Sequence, residues 1–333
     1  MHQQSFSGNA FQSTSYATRK RVFLSEMEQV VPWQALLALI SPHAPKPDKA
    51  KGGRPPIPLS SLLRIHFLQQ WFGLSDPAMQ EALHDVPLYR QFARLELGDD
   101  VIPDESTILR FRHLLQKHEL AEQILASVNE HLSQRGLILR EGSIVDATLI
   151  AAPPSTKNKD KARDPEMHQS KKGKQWYFGM KAHIGVDDSS GLVHSVIGTS
   201  GNVADITQAH ALLHGQEERA SGDAGYQGVD KREDAKPGVT WAISMKRGKR
   251  KALDKETEEG KLADEKEKHK SQLRSKVDHP FRVLKCQFGY RKVRYKGLAK
   301  NTAQIKTLFA LVNLWMARHL LMASCQAQRV QCA

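Results

Sequence analysis

An α/β domain preceded by an all-helical N-terminal domain is the fold this sequence predicts, and three observations predict it. Residues 59–132 hold helix-spaced apolar residues broken by turn signals. From residue 142 onward, short β-branched and apolar runs recur between Gly, Pro and Asp clusters, the pattern of strands. An apolar helical stretch, residues 305–322, follows near the end; Lys306, Asn313, Arg318 and His319 interrupt it, so it reads as a core helix and not a membrane span.

Residues 1–58 form an N-terminal arm, a helix and a linker. The arm is polar and Ser-rich, lacks a charged-then-apolar leader, and ends in Arg19, Lys20 and Arg21. Met27, Val30, Val31, Leu37 and Ile40 then recur at helical spacing, broken at Pro32. Residues 41–58 are rich in Pro, Gly and Lys and read as a spacer, although Gly52, Gly53 and Arg54 could instead follow a phosphate chain.

Residues 59–140 form a helical domain with turns at 73–77 and 98–100. Asp104 is the expected N-cap of a helix with Ile108, Phe111 and Leu115 on one face and Arg110, His113 and Lys117 on another, flanked by Arg112. Such a helix in a compact unit is similar to the recognition helix of a helix-turn-helix, which enters a DNA major groove. An ordinary bundle with solvated charges has the same pattern.

Residues 141–323 form the α/β domain, with a charged insertion at 246–270 and a tail at 324–333. Its first strand, Ser143-Ile144-Val145-Asp146-Ala147-Thr148-Leu149-Ile150, has the composition of a buried central strand, yet it carries Asp146. A buried, unpaired carboxylate is costly, so Asp146 must reach an open edge, meet a cation or hold a metal. Asp223, between small residues at a chain turn, and Asp278, opening a helix among basic residues, repeat the theme. Three such carboxylates are what a site for two divalent cations facing phosphate needs.

Residues 157–181 carry eight basic residues against three acidic ones, Lys171 and Lys172 among the former, and read as a basic loop ending at Trp176, Tyr177 and Phe178. A hairpin follows, with strands near 181–186 and 192–199; Asp187 and Asp188 between them read as turn residues rather than ligands. Residues 202–214 read as a helix. His210 and His214 stand one turn apart on it, but no Glu follows the first and no third ligand is near in sequence, which argues against zinc. Residues 241–245 form one more strand, and 246–270, dense in both charge signs, read as a solvated helix or a disordered insertion.

The chain's net formal charge of +13 over 333 residues points to an acidic polymer as partner. Residues 274–300 concentrate this charge, with nine basic residues against Asp278 alone, a net of +8. Arg274, Arg282, Lys285, Arg291, Lys292 and Arg294 lie in this stretch and read as a phosphate-binding surface. The cysteines, Cys286, Cys325 and Cys332, form no Cys-x-x-Cys pair, so neither a disulfide framework nor a cysteine zinc site is expected and a reducing cytoplasm fits.

The segments Val145-Asp146-Ala147-Thr148-Leu149-Ile150, Arg163-Asp164-Pro165-Glu166-Met167-His168-Gln169, Phe178-Gly179-Met180-Lys181-Ala182-His183-Ile184-Gly185-Val186-Asp187, Asp223-Ala224-Gly225-Tyr226-Gln227-Gly228 and His279-Pro280-Phe281-Arg282 closely resemble the bacterial DDE transposases of the insertion-sequence-five family. The resemblance runs from about Thr18 to the C-terminal helix. It implies an RNase H-like catalytic core, a mixed sheet flanked by helices, behind a helical domain that helps recognise terminal inverted repeats. It further implies two Mg2+ or Mn2+ ions, double-stranded DNA of the transposon ends and target as partner, a homodimer on DNA, and a cytoplasmic, nucleoid-associated location.

Carried over residue by residue, the resemblance matches Asp146 and Asp223 to the first two catalytic acids. The third acid is a glutamate within a tyrosine, arginine, glutamate, lysine signature; Arg274 and Lys285 match its arginine and lysine, Ser271 takes the tyrosine's place, and Asp278 takes the glutamate's. By this reading Asp146, Asp223 and Asp278 are both catalytic and metal-holding, while Arg274, Arg282 and Lys285 hold end phosphates. Aspartate keeps the charge but is one methylene shorter, which leaves open a DNA-binding derivative with weakened or absent cleavage. A general metal-dependent nuclease of the same fold is a third reading.

Overall fold

The computed structural model describes residues 16–45, 56–95 and 100–331. The expected arm up to residue 15, most of the expected spacer with Gly52, Gly53 and Arg54, and the turn at Gly98 and Asp99 lie outside these.

The N-terminal part is helical throughout: α1 (Arg19–Val30), α2 (Trp33–Ile40), α3 (Leu59–Phe72), α4 (Asp76–Asp85), α5 (Pro87–Ala93), α6 (Glu105–Lys117) and α7 (Leu120–Ser133). Local chemistry sets the boundaries. The Thr18, Ser75 and Asp104 side chains each accept a backbone N–H three residues on, capping α1, α4 and α6. Gly73, left-handed at φ 63°, ends α3, and a Cβ there would strike the Arg294 guanidinium. Helix α3 is buried almost all round, with Leu63, Ile65, Phe67, Leu68 and Trp71 in the core. Its Arg64 survives there because it forks onto Glu28 and lies 3.9 Å from the Trp33 ring centroid.

A mixed sheet of six strands follows: β1 (Gly142–Ala151), β2 (His168–Lys172), β3 (Gln175–Asp187), β4 (Val193–Ser200), β5 (Arg219–Gly222) and β6 (Thr240–Ile243). Strand β3 runs antiparallel to β1, β2 and β4, whereas β5 is parallel to β1, and β6 to β5. An antiparallel meander extended by two parallel strands is the RNase H-like arrangement. Alternation along β1 divides two cores. Ile144 and Ile150 face the large one with Met180, Ala182 and Ile184, while Val145 faces a smaller one with Leu212, Ala220 and Tyr226.

After β6 come α8 (Arg247–Lys251), α9 (Glu258–Arg274), α10 (Asp278–Arg282), a π-helical turn (Val283–Gln287) and α11 (Leu298–Gln331). Helix α11 packs against α7, β4 and α1, which makes it the strut between the two parts of the chain. Among the described residues no helix is long and apolar enough to cross a membrane.

Three stretches differ from the sequence expectation. Residues 202–214 form two short 3-10 turns, Asp205–Gln208 and His210–Leu212, in place of a helix. The buried His210 ring there donates to the Val229 carbonyl at 3.0 Å, and Gly215 at φ 92° turns the chain away. The basic loop is a hairpin in its second half, because Gly173 at φ 63° lets β2 fold back on β3. The expected tail continues α11 as far as Gln331. Much of the charged insertion is the solvated helix α9, fixed at its inner face by Glu267, whose carboxylate accepts from Met245 N at 2.7 Å.

Candidate active site

The fold places Asp146 in the middle of β1, Asp223 immediately beyond the end of the adjacent parallel strand β5, and Asp278 at the start of α10. Asp223 turns its Oδ1 onto the Gly225 N–H at 2.8 Å, which fixes the carboxylate at the strand end. Asp278 is exposed. Asp146 is the enclosed member, its side chain 18% exposed.

Electrostatics ties the three together. Burial pushes the Asp146 carboxyl from its ordinary value up to about 7, against the opposing pull of the Ala147 N–H it accepts at 2.7 Å; the charges of Asp223 and Asp278 add to the rise, and Arg274 counters it. The parallel pairing of β1 with β5, the packing of β1 on the turn just before Asp278 and the Arg274–Asp146 contact bring strand, strand end and helix to one side of the sheet. The convergence is loose: among the described residues, these acids do not form a group with all ligand atoms within 4.8 Å, whereas His194, His214 and Glu217 do. An all-oxygen donor set suits Mg2+ or Mn2+, and a carboxyl whose pKa is raised chiefly by burial and further by like charges is a place that a cation would stabilise.

Cations line the same side. Arg274 Nη1 stands 3.5 Å from Asp146 Oδ2. Lys285 Nζ donates to Thr148 Oγ1 at 2.7 Å and to the Leu149 carbonyl at 2.9 Å, which fastens the π-helical turn beside β1. Arg282 is exposed one turn earlier, and Arg291 donates to the Lys285 carbonyl at 3.1 Å. Lys292 is exposed and bridges to Ala151 at the end of β1. Ser271 lies exposed on α9.

The remaining predicted DNA-binding residues divide. Arg110 is exposed on α6, its Nη2 3.1 Å from Ser106 Oγ, and Lys171 is exposed on β2 near the Trp176 ring; Lys172 lies in the same strand. Arg112 departs from the expectation. Its side chain is 11% exposed, paired with Asp76 at 2.7 Å and 4.4 Å from the Tyr295 ring centroid, so its charge is spent inside the protein. Arg294 is exposed, and its Nη1 donates to the Gly73 carbonyl at 2.6 Å.

Two residues near the acids were missed. Tyr226 is buried, and its hydroxyl has no hydrogen-bond partner among the described residues. Burial and then the charges of Asp146, Asp205 and Asp223 hold that phenol far above its ordinary range. Asp205 pairs with Lys181 at 2.8 Å, and Lys181 also donates to the Val203 carbonyl at 2.7 Å. The Asp223-x-x-Tyr226 spacing was a visible signal for the first; nothing in the sequence separates Asp205 from an ordinary cap.

A mixed sheet with carboxylates on its central strand, at the neighbouring strand end and on a following helix defines an RNase H-like class of protein. Within that class, the chain belongs to the Transposase DDE domain family, which matches residues 138–314, while the Transposase domain (DUF772) family matches residues 12–114. The chain is also similar to the piggyBac transposase in a cryo-EM synaptic complex with hairpin DNA, at 11% identity and a TM-score of 0.46, over 91% of this chain and 73% of that one.

Proposed function

We propose that this transposase is of the insertion-sequence-five kind, binds the terminal inverted repeats of its element and carries out metal-dependent end cleavage and strand transfer. The observation that carries the reading is that Asp223 closes the strand paired in parallel with β1, while Arg274, on the helix just before Asp278, reaches Asp146 at 3.5 Å. Two Mg2+ or Mn2+ ions held by Asp146, Asp223 and Asp278 would supply the charge that stabilises the attacking and leaving oxygens of an in-line displacement.

Water attacks the phosphodiester at the element's end, leaving a 3′ hydroxyl on the element and a 5′ phosphate on the flanking strand; that hydroxyl then attacks a target phosphodiester, joins the target's 5′ phosphate and expels the target's 3′ hydroxyl. Asp146 must be ionised to take part, and Arg274, 3.5 Å away, favours that form. Arg282, Lys285, Arg291 and Lys292 hold end phosphates, with Arg110 and the Lys171 and Lys172 strand contributing further along the duplex. Two ends joined in one event call for two copies, a homodimer on DNA. The reading is tested by Asp146→Asn in purified protein with end-containing DNA and Mg2+: cleavage falls to background while binding persists, and unchanged cleavage would refute it.

A second reading rests on Asp278, one methylene shorter than the family's glutamate. Positioning errors of about 1 Å cost on the order of a hundredfold in rate, so a chain that grips its ends but cuts them slowly is the alternative.

A further inference from the structure

We infer that His194, His214 and Glu217, with the Ser143 hydroxyl beside them, form a zinc-binding site separate from the acidic one. It lies at the opposite end of β5 from Asp223, where Ser143 begins β1, His194 begins β4, and His214 and Glu217 lead into β5.

One ligand atom from each of the three residues falls within 4.8 Å of the others. His214 Nε2 is 3.3 Å from Glu217 Oε1, and the two imidazole rings meet edge to face with centroids 4.9 Å apart. Zinc at its usual bond length of about 2.0–2.1 Å sets tetrahedral ligands roughly 3.3 Å from one another, so little closure is required. The Glu217 side chain is fully buried and that of His214 is 11% exposed. Glu217 is held in place by the His214 and Gly215 N–H groups and by Ser143 Oγ at 2.9 Å. His194 Nε2 lies 2.9 Å from the same hydroxyl.

His214 Nε2 is the unsatisfied atom, buried and without a hydrogen-bond partner among the described residues. A buried polar nitrogen facing a carboxylate and a second imidazole is costly left as it is, and a cation satisfies all three. Binding has a definite cost: His214 Nδ1 must carry the proton and release the 3.2 Å bond from Gln216 N–H, and the Ser143 hydroxyl must turn. Two imidazoles and a carboxylate select zinc over Mg2+, which prefers oxygen and keeps its water. The acidic site makes the reverse choice.

The test loads the chelator-stripped full chain with Zn2+ in excess Mg2+, desalts it and measures bound metal. One zinc per chain is expected, retained in Asp146→Asn and lost at least tenfold in His194→Ala and His214→Ala. Since those variants remove core contacts, X-ray absorption at the zinc edge on the unaltered protein gives an independent reading: two imidazoles with oxygen ligands. No retained zinc, an all-oxygen shell, zinc that follows Asp146→Asn, or zinc that persists in His194→Ala overturns the site without touching the acidic one.

Discussion

Arg274 Nη1 stands 3.5 Å from Asp146 Oδ2, a helix-borne cation facing the most enclosed of the acids. Its charge lowers the Asp146 pKa against burial and against Asp223 and Asp278. Removing it in Arg274→Ala leaves those effects opposed only by the Ala147 N–H, so the acid limb of the cleavage pH profile moves to higher pH, with Arg274→Lys restoring part of the shift. A profile that keeps its position while only KM changes assigns Arg274 to phosphate holding alone.

The same carboxyl links stability to pH. A folded-state pKa of about 7 against an unfolded value near 4 means the native state binds the proton more tightly, so metal-free stability falls as pH rises through that interval. Asp146→Asn therefore stabilises the chelated protein at pH 8 by about 1–3 kcal/mol and hardly at all at pH 4. Urea unfolding at the two pH values measures this, and millimolar Mg2+ erases the difference by stabilising the parent. Equal gains at both pH values would tie the effect to packing rather than charge.

Asp278→Glu lengthens the third acid by one methylene at the start of α10. Cleavage of end-containing DNA is expected to rise by roughly tenfold to a hundredfold if reach is what the shorter side chain lacks. Comparable rates in both forms show that α10 already seats Asp278 correctly and dismiss the weakened-transposase reading.

The strand composition around Asp146 announced both the central position of β1 and the anomaly of its carboxylate, and the hairpin turn at Asp187 was equally plain. Asp187 indeed accepts from Leu139, Arg140 and Ser190 N–H groups. Arg112 was not legible, because helix periodicity places it on a face but does not say that Asp76 and Tyr295 will arrive there from other elements. The histidines show the same limit more sharply. His214 was paired with its neighbour in sequence, His210, whereas folding sends His210 to Val229 and brings His194 across from β4. Local spacing decides local structure; three-dimensional ligand sets depend on which strands pair.

Asn313, buried on α11, grips β4 through both amide atoms: Oδ1 accepts from Val193 N at 2.8 Å, and Nδ2 donates to the Val193 carbonyl at 2.7 Å and to Asn129 Oδ1 at 2.8 Å. Asn313→Leu strands these partners without water, a loss of about 2–4 kcal/mol given roughly 1–3 for a buried unsatisfied group. A lowered urea midpoint with unchanged slope is the expected result. No change in midpoint would mean that the helical part and the sheet are held together by apolar contact alone.

Arg282 and Arg112 make opposite predictions for DNA although both were read from sequence as candidate DNA contacts, the first on a phosphate-binding surface and the second beside a helix similar to a recognition helix. Arg282 is exposed one helical turn after Asp278, so Arg282→Ala weakens binding to end and unrelated duplexes alike and lowers the log–log salt slope by about 1, the counterion release of one phosphate contact. Arg112→Gln breaks the internal pair with Asp76, so it lowers the unfolding midpoint and leaves the salt slope where it was. Fluorescence anisotropy across a salt series, run beside thermal unfolding, separates the two. A reduced slope in Arg112→Gln with unaltered unfolding would mean that its guanidinium leaves Asp76 and Tyr295 when DNA binds.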